Sequence, residues 1–311
     1  MNAIKRPQDL HGLWAAIPTP WDESHELDPG VLERNVERYA GIPIDGVYTT
    51  DSDGEFYAIE LDEFRVLIRH FAAAMEKTEM AAAVGVTWIN TRGIVDRIRV
   101  CLDCGITAVK VAFPFWMPLS RDDVPRFWED LARAAPEARW VHYNSHRAHI
   151  TFYAGDYRWL ADTHPENLIG TKLPPTLSDM ELVKILETTP ELAHFVTDPT
   201  TVPGYMMGAK GSYSYWVNTL PQWTKRMTDL CRERRWEEAM AMQRRLLVWE
   251  ATYVRPLRES GYNHGTVGKA RGALTGFLED SGLTRAPYYP VADPLWRDLK
   301  AGFDVYWAGE E

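Results

Sequence analysis

The 311-residue chain predicts a (β/α)8 barrel. Two observations carry that expectation: short apolar or β-branched runs alternate with amphipathic stretches along most of the sequence, and there are eight such runs. A third points the same way, because no Gly-x-Gly-x-x-Gly follows any of the runs, which leaves a dinucleotide-binding open sheet without support. Barrels of this kind use about 250 residues as one unit, so the length calls for one barrel and an addition.

The strand candidates in order are LWAAIP (13–18), DGVYTT (45–50), MAAAVGV (80–86), AVKVAF (108–113), RWVHYN (139–144), LIGTK (168–172), HFVTD (194–198) and GSYSYWV (211–217). Between them lie segments with apolar residues recurring at three and four positions, such as PGVLERNVERYAG (29–41) and LDEFRVLIRHFAAAMEK (61–77). RDDVPRFWEDLARAA (121–135) and LSDMELVKILETT (177–189) repeat the pattern. We therefore expect the barrel over 1–220. Residues 221–311 are all-helical in pattern and too long for one crossover, so they are expected to supply the last crossover helix and a C-terminal helical extension packed on the barrel.

Composition excludes several classes. A formal net charge of -10 and a pI near 5.4 argue against a nucleic-acid partner, which needs a clustered basic surface. No run reaches the roughly 18 apolar residues of a membrane span, and residues 1–12 lack a signal-peptide core, so a cytoplasmic protein is expected. Three cysteines, Cys101, Cys104 and Cys231, do not make a disulfide framework. The Cys-Leu-Asp-Cys at 101–104 lies on one face of a helical run with no second pair, and reads as packing. His142, His146 and His149 lack accompanying carboxylates at metal-ligand spacing, so neither a metal nor a cofactor is expected.

In this architecture, chemistry gathers at the C-terminal ends of the strands. The polar residues there are Ser52, Asp53 and Glu55 after the second strand, Tyr143 and Asn144 after the fifth, Lys172 after the sixth, and Trp216 and Asn218 near the eighth. Lys172 ends a buried strand and is followed by Pro174 and Pro175, which stop it. An amine in an apolar barrel mouth is expected to have a depressed pKa and to attack a carbonyl as a Schiff-base nucleophile. A snorkelling surface lysine is the alternative. Lys110 is the rival amine, but its mid-strand position assigns it to the bottom layer or an interface. Tyr143 falls on the neighbouring strand, within reach of Lys172, and a phenol there can carry the protons that imine chemistry needs; packing on the rim is the alternative. The loop TTDSDGEFYAI (49–59), with Ser52, Asp53 and Gly54, is placed to aim backbone N–H groups at an anion or to cap a helix. Trp88, Trp116 and Trp216 fall at or beyond strand ends, where a flat apolar substrate could stack.

These residues resemble the pyruvate-dependent class I aldolases that include dihydrodipicolinate synthase and N-acetylneuraminate lyase. DSDGE (51–55) is similar to their Gly-Thr/Ser-Thr-Gly-Glu loop, Tyr143 to their strand-five tyrosine, IGTK (169–172) to their Ile-x-x-Lys, and GAKGSYS (208–214) to their Gly-Ala-x-Gly-x-x-Ser stretch. Within that superfamily NTRGIV (90–95), FPFWMPL (113–119), FWEDLARAAPEA (127–138), YNHGTVGKAR (262–271) and RAPYYPV (285–291) are similar to the trans-o-hydroxybenzylidenepyruvate hydratase-aldolases. The resemblance implies a metal-independent lyase of pyruvate or another 2-oxo acid and an aromatic or apolar aldehyde. Lys172 would form the imine, Tyr143 would relay protons with Ser52 behind it, and Ser52 and the Asp53 backbone would hold the carboxylate beside Gly54. Trp116, Trp216, Asn144, Ser214 and Asn263 would border the substrate. It also implies a homo-oligomer, a dimer or tetramer, with Phe115 and Trp116 available for subunit contact. Asp51 and Asp53 depart from the family loop, and Arg147 in YNSHRAHI (143–150) is out of register with the synthase arginine. A sugar-acid dehydratase is the alternative within the superfamily, and a metabolite-binding barrel without turnover the alternative outside it.

Overall fold

The computed structural model describes residues 1–279 and 282–309. Eight parallel strands close into a barrel in sequence order: β1 (Gly12–Ile17), β2 (Gly46–Thr49), β3 (Ala81–Gly85), β4 (Ala108–Val111), β5 (Arg139–Tyr143), β6 (Leu168–Lys172), β7 (Ala193–Thr197) and β8 (Gly211–Ser214), with β8 pairing back on β1. The intervening helices are α1 (Pro29–Ala40), α2 (Leu61–Glu76), α3 (Thr91–Asp103), α4 (Asp123–Ala134), α5 (Ala154–Thr163), α6 (Asp179–Thr188) and α7 (Thr201–Met207), and α8 (Pro221–Arg232) follows β8. Their starts follow local chemistry. The side chains of Asp28, Asn90 and Ser178 accept the N–H groups that the first turns of α1, α3 and α6 leave free.

Strand alternation sorts the apolar residues into two layers. Leu13, Ala15, Val47, Val84, Val109 and Val111 pack outward against the helices. Trp14, Ala16, Tyr48, Ala83, Ala108, Phe195 and Tyr213 fill the interior. Rings dominate that interior floor, with Trp14 and Tyr213 5.9 Å apart and Tyr48 and Tyr213 5.2 Å apart.

Two strands end at least two residues earlier than the sequence suggests. The fourth stops at Val111, because the Ala112 N–H donates to the Thr87 hydroxyl at 3.1 Å and Pro114 has no N–H to continue the ladder. The eighth stops at Ser214, because the N–H groups of Tyr215 and Trp216 donate to Asp198 Oδ2 at 2.7 and 3.0 Å. Trp216 then enters a 3-10 turn.

After α8 come α9 (Trp236–Trp249), a π-helical turn (Glu250–Val254), α10 (Arg255–Glu259), α11 (His264–Gly272) and α12 (Asp293–Tyr306). They form a second apolar cluster around Trp216, Met227, Leu246, Trp249, Val267 and Phe303. Gln243 of α9 accepts the Val202 N–H of α7 at 2.7 Å, and Arg34 of α1 meets Glu279 at 2.5 Å, so the helical segment is tied to the barrel at two separate places. Among the described residues no helix is long and apolar enough to cross a membrane.

One irregularity positions the site. Opposite β5, Trp140 pairs with Leu168 but Val141 pairs with Gly170, so Ile169 is an extra residue on β6. A bulge of this kind reverses the inside–outside alternation beyond it. Leu168 packs on the helix side and Ile169 inside, yet Gly170 again faces inside, toward Leu10 and Ala193. Thr171 turns outward to the His194 ring, and Lys172 turns into the barrel. The bulge depends on a small residue, since a Cβ at position 170 would lie 2.5 Å from the Ala193 carbonyl oxygen. Gly170→Val is expected to lower stability by about 1–3 kcal/mol through overpacking, read as a reduced urea midpoint.

Candidate active site

Lys172 opens onto a cavity of about 620 Å3 at the C-terminal end of the barrel, within the usual size range of small-molecule sites. Its side chain is buried, with Nζ 4.0 Å from the centre of the Tyr143 ring. Tyr143 reaches this position because it pairs directly with Lys172 across β5 and β6. The Asp51 carboxylate lies 3.8 Å from Lys172 Nζ.

Lys110 is the residue that strand position misassigned. It shares the inward face of β4 with Ala108, and its Nζ lies 2.6 Å from the same Asp51 Oδ2. It sits 3.1 Å from the Tyr48 ring centre and 4.1 Å from that of Tyr213. Lys110 therefore belongs to the floor of the site and not to the bottom layer. Parity with Ala108 was the available signal, but a charged residue between valines reads more easily as an edge feature.

The two amines differ in environment. The shorter contact to Asp51 belongs to Lys110, yet complete burial outweighs it, and its pKa is pulled well below the ordinary lysine value. Burial also opposes the charge on Lys172, but Tyr143, Asp51 and Asp53 more than offset it, and its pKa lies above the ordinary value. The depressed amine expected at 172 is thus found at 110, where burial prevails, while Tyr143 and then Asp51 and Asp53 support the Lys172 charge.

The loop after β2 is held in an unusual backbone. Thr50, Asp51 and Glu55 have φ of 62°, 58° and 50°, in the left-handed region that β-branched threonine rarely enters. The Thr50 hydroxyl donates to the Gly85 carbonyl at 2.5 Å, and a Cβ on Gly85 would lie 2.6 Å from Asp51 Oδ1. Glycine at the end of β3 thus makes the space into which Asp51 fits. The Gly54 N–H turns back to the Thr50 carbonyl, so Gly54 shapes the loop and does not line the cavity. Ser52 and Asp53 do line it, and among the described residues their backbone N–H groups donate to no protein acceptor.

The C-terminal helices close one side. His264 Nε2 of α11 lies 3.2 Å from Asp53 Oδ1. Burial alone would raise the Asp53 carboxyl, but His264, with Lys172 and Arg271 beyond, holds it well below the usual carboxylate range. The carboxylate that the sequence sets against an anionic substrate is therefore turned to the His264 imidazole. Behind it, Glu55 and Lys269 form a fully buried pair at 2.8 Å. Asn263 lines the cavity, but its Oδ1 accepts the Thr266 N–H at the start of α11 and the Tyr57 hydroxyl. Asn144 also lines it, while exchanging two hydrogen bonds with the Phe152 backbone.

Other expected border residues lie elsewhere. Trp116 is 78% exposed, and Trp216 is buried with its indole N–H donating to Glu250 at 3.2 Å. Trp88 stacks under the Arg97 guanidinium at 3.6 Å. Ser214 is buried at the end of β8, and its hydroxyl accepts the Val217 N–H. The aromatic wall is made instead by Phe56, Tyr57, Phe115, Tyr215, Tyr262 and Tyr288, from loops and the helical tail whose convergence no local pattern encodes. His146, Arg147 and Arg258 stand at the mouth. His142 is buried among rings and bonded to the Tyr157 hydroxyl, and burial lowers its pKa to about 3. Ser52 and Tyr143 share the cavity, but no hydrogen bond joins them among the described residues.

A closed (β/α)8 barrel with an inward lysine at the end of β6 and a tyrosine beside it defines a class of imine-forming aldolase folds. Residues 9–293 match the dihydrodipicolinate synthetase family, and the chain belongs to it. A trans-O-hydroxybenzylidenepyruvate hydratase-aldolase of Sphingobium xenophagum is 29% identical over 44% of this chain and 43% of its own length, so this match spans less than half of that relative. An N-acetylneuraminate lyase of Rhizobium meliloti (strain 1021) is 29% identical over 75% of this chain and 77% of its own length. Among solved structures, YagE, a prophage protein of the dihydrodipicolinic acid synthase family from E. coli K12 in complex with pyruvate, superposes with a TM-score of 0.85 at 19% identity, covering 96% of this chain and 98% of that one.

The Asp53 pairing has a pH signature. Its folded-state pKa lies below the unfolded value of about 3.9, so its contribution to stability is present above about pH 4 and is lost as the pH falls through the folded value. Asp53→Asn should therefore be less stable than wild type near neutrality, with the difference shrinking below about pH 4. Urea midpoints across the acid limb measure this, and a pH-independent difference contradicts the pairing.

Proposed function

We propose that this protein is a class I carbon–carbon lyase of the aldolase or hydratase-aldolase type, acting through an imine on Lys172. The observation that carries this reading is the Lys172 amine, buried and turned into the cavity with Tyr143 4.0 Å away. A neutral Lys172 attacks the ketone of pyruvate or a related 2-oxo acid, and the protonated imine accepts the electron pair of the carbon–carbon bond that breaks. Tyr143 is the proton carrier for forming and collapsing the carbinolamine.

The unbonded N–H groups of Ser52 and Asp53 support a carboxylate position beside Lys172. Ser52 adds a hydroxyl on that side. Because Asp53 is paired with His264, its charge opposes the anion less than its position in the sequence suggests. Phe56, Tyr57, Phe115, Tyr262 and Tyr288 support an aromatic aldehyde as the second partner. The exposed Trp116 and Met117, on the loop that carries Phe115, support a homo-oligomer.

One feature favours the sugar-acid dehydratase reading: His146, Arg147 and Arg258 give the mouth a polar, cationic side suited to a hydroxylated acid. Turnover of pyruvate with aromatic aldehydes, and none with sugar acids, decides for the aldolase; the reverse decides for the dehydratase. Incubation with pyruvate and borohydride should add one reduced pyruvyl group at Lys172, located by peptide mass spectrometry. Lys172→Met should abolish both adduct and turnover, and Tyr143→Phe should lower kcat by roughly 10^2–10^4-fold. An active enzyme with unlabelled Lys172 refutes the imine.

A further inference from the structure

Four of the rings that line the cavity form a continuous array. Phe115, from the loop after β4, meets Phe56 with ring centres 5.6 Å apart, Phe56 meets Tyr57 at 5.5 Å, and Tyr57 meets Tyr288 at 5.1 Å. Interplanar angles of 88°, 76° and 73° make each contact edge-to-face, an arrangement that the ring quadrupoles favour. Tyr288 ends the array. It is 39% exposed while the other three are half-buried, so its ring stands where the cavity meets solvent.

A residue at such a margin keeps its ring toward the cavity only if its backbone is held, and the segment that carries Tyr288 is held on both sides. Before it, the Lys269 ammonium donates to the Leu283 carbonyl and the Arg285 N–H donates to Glu55 Oε2 at 3.3 Å, so the buried Glu55–Lys269 pair grips the chain at two points. The Arg285 guanidinium donates to the Ala58 carbonyl at 3.0 Å, meets Glu63 of α2 at 2.6 Å and lies over the Trp21 ring at 4.8 Å. The turn itself is closed twice: the buried Thr284 hydroxyl donates to the Tyr288 carbonyl at 3.0 Å, and the Tyr288 N–H donates to the Arg285 carbonyl at 3.1 Å. After it, the Ala292 N–H donates to the Tyr262 hydroxyl at 3.0 Å. All of these bonds fix the backbone around Tyr288, and what that backbone presents to the cavity is the ring.

We propose that Tyr288 is a specificity-determining residue whose ring, completing the array of Phe115, Phe56 and Tyr57, selects a flat aryl aldehyde over a saturated one, and that the Glu63–Arg285 pair positions it. The proposal rests on the reading of this cavity as the site where pyruvate on Lys172 meets an aldehyde. An aryl ring can join the array edge-to-face or offset-stacked, whereas a saturated ring of the same size has no quadrupole and gains only the burial of its apolar surface. The preference therefore depends on the ring at position 288 and not on its hydroxyl. It weakens when the anchor to α2 is cut, because the ring is then no longer held against Tyr57.

The test measures kcat and KM for addition of pyruvate to benzaldehyde and to cyclohexanecarbaldehyde, on the full chain and on Tyr288→Ala, Tyr288→Phe and Glu63→Gln, with borohydride trapping of pyruvate on Lys172 as the check on the first step. Tyr288→Ala is expected to raise KM for benzaldehyde about two- to tenfold, with kcat, the trapped adduct and KM for cyclohexanecarbaldehyde unchanged. Tyr288→Phe should match wild type, and Glu63→Gln should fall between wild type and Tyr288→Ala. An equal rise in KM for both aldehydes, or a rise for neither, overturns the role of Tyr288 while leaving the imine intact. A loss in Tyr288→Phe as large as in Tyr288→Ala overturns the ring as the determinant, and a Glu63→Gln profile that superimposes on wild type overturns the positioning role of the ion pair. Wild type that traps pyruvate on Lys172 but turns over neither aldehyde overturns the aldehyde reading and the proposal together.

Discussion

One buried carboxylate lies between two buried amines, and the mouth of the barrel is built around that imbalance. Asp51 cannot leave its place without stranding Lys110, which has no exposed surface at all. Removing one partner from a buried pair is far more damaging than replacing the pair, because the remaining charge loses its compensation in a medium that cannot solvate it. The left-handed backbone at Thr50 and Asp51, and the missing side chain at Gly85, are the local consequences. They hold a short polar loop in a conformation it would not choose alone, so that a carboxylate meets both lysines from above.

The helical segment after the barrel completes the same electrostatic design. Through His264 it meets Asp53, and through Lys269 it pairs with Glu55, so the acidic loop DSDGE is faced by one helix placed more than two hundred residues later in the chain. Glycine at 265 and 268 lets α11 approach: a Cβ at these positions would lie 2.8 Å from Glu55 and 3.3 Å from Asp53. Tyr262 and Asn263, just before the helix, come to the cavity with it. The tail is therefore part of the wall of the site as well as a packing element.

Size, apolar rings and a few charges at the rim give the cavity its character. Lys172, Tyr143, Tyr48 and Tyr213 line the cavity together with Ser52 and Asp53, and Phe56, Tyr57, Phe115, Tyr262 and Tyr288 line it as well.

Strand count, helix alternation, barrel closure and the strand-end positions of Ser52, Tyr143 and Lys172 were legible in the sequence, because period-two and period-three-to-four patterns and strand-end positions are local properties. What the chain alone did not reveal was direction. Simple alternation puts Lys172 on the same face as Leu168, among the helices, and only the extra residue Ile169 in the β5–β6 register turns it inward. Lys110 was visible, but its meeting with Asp51 joins residues from β4 and the β2 loop, and nothing in either segment encodes the other. The tryptophans were misread for the same reason: an aromatic near a strand end can face the cavity, the helical tail or solvent, and packing chose the last two for Trp216 and Trp116. The sequence by itself determined the strands, the helices and the polar groups at the strand ends. Tertiary structure decided which of them share one cavity, because proximity across strands depends on register and closure, and those are set by the whole barrel at once.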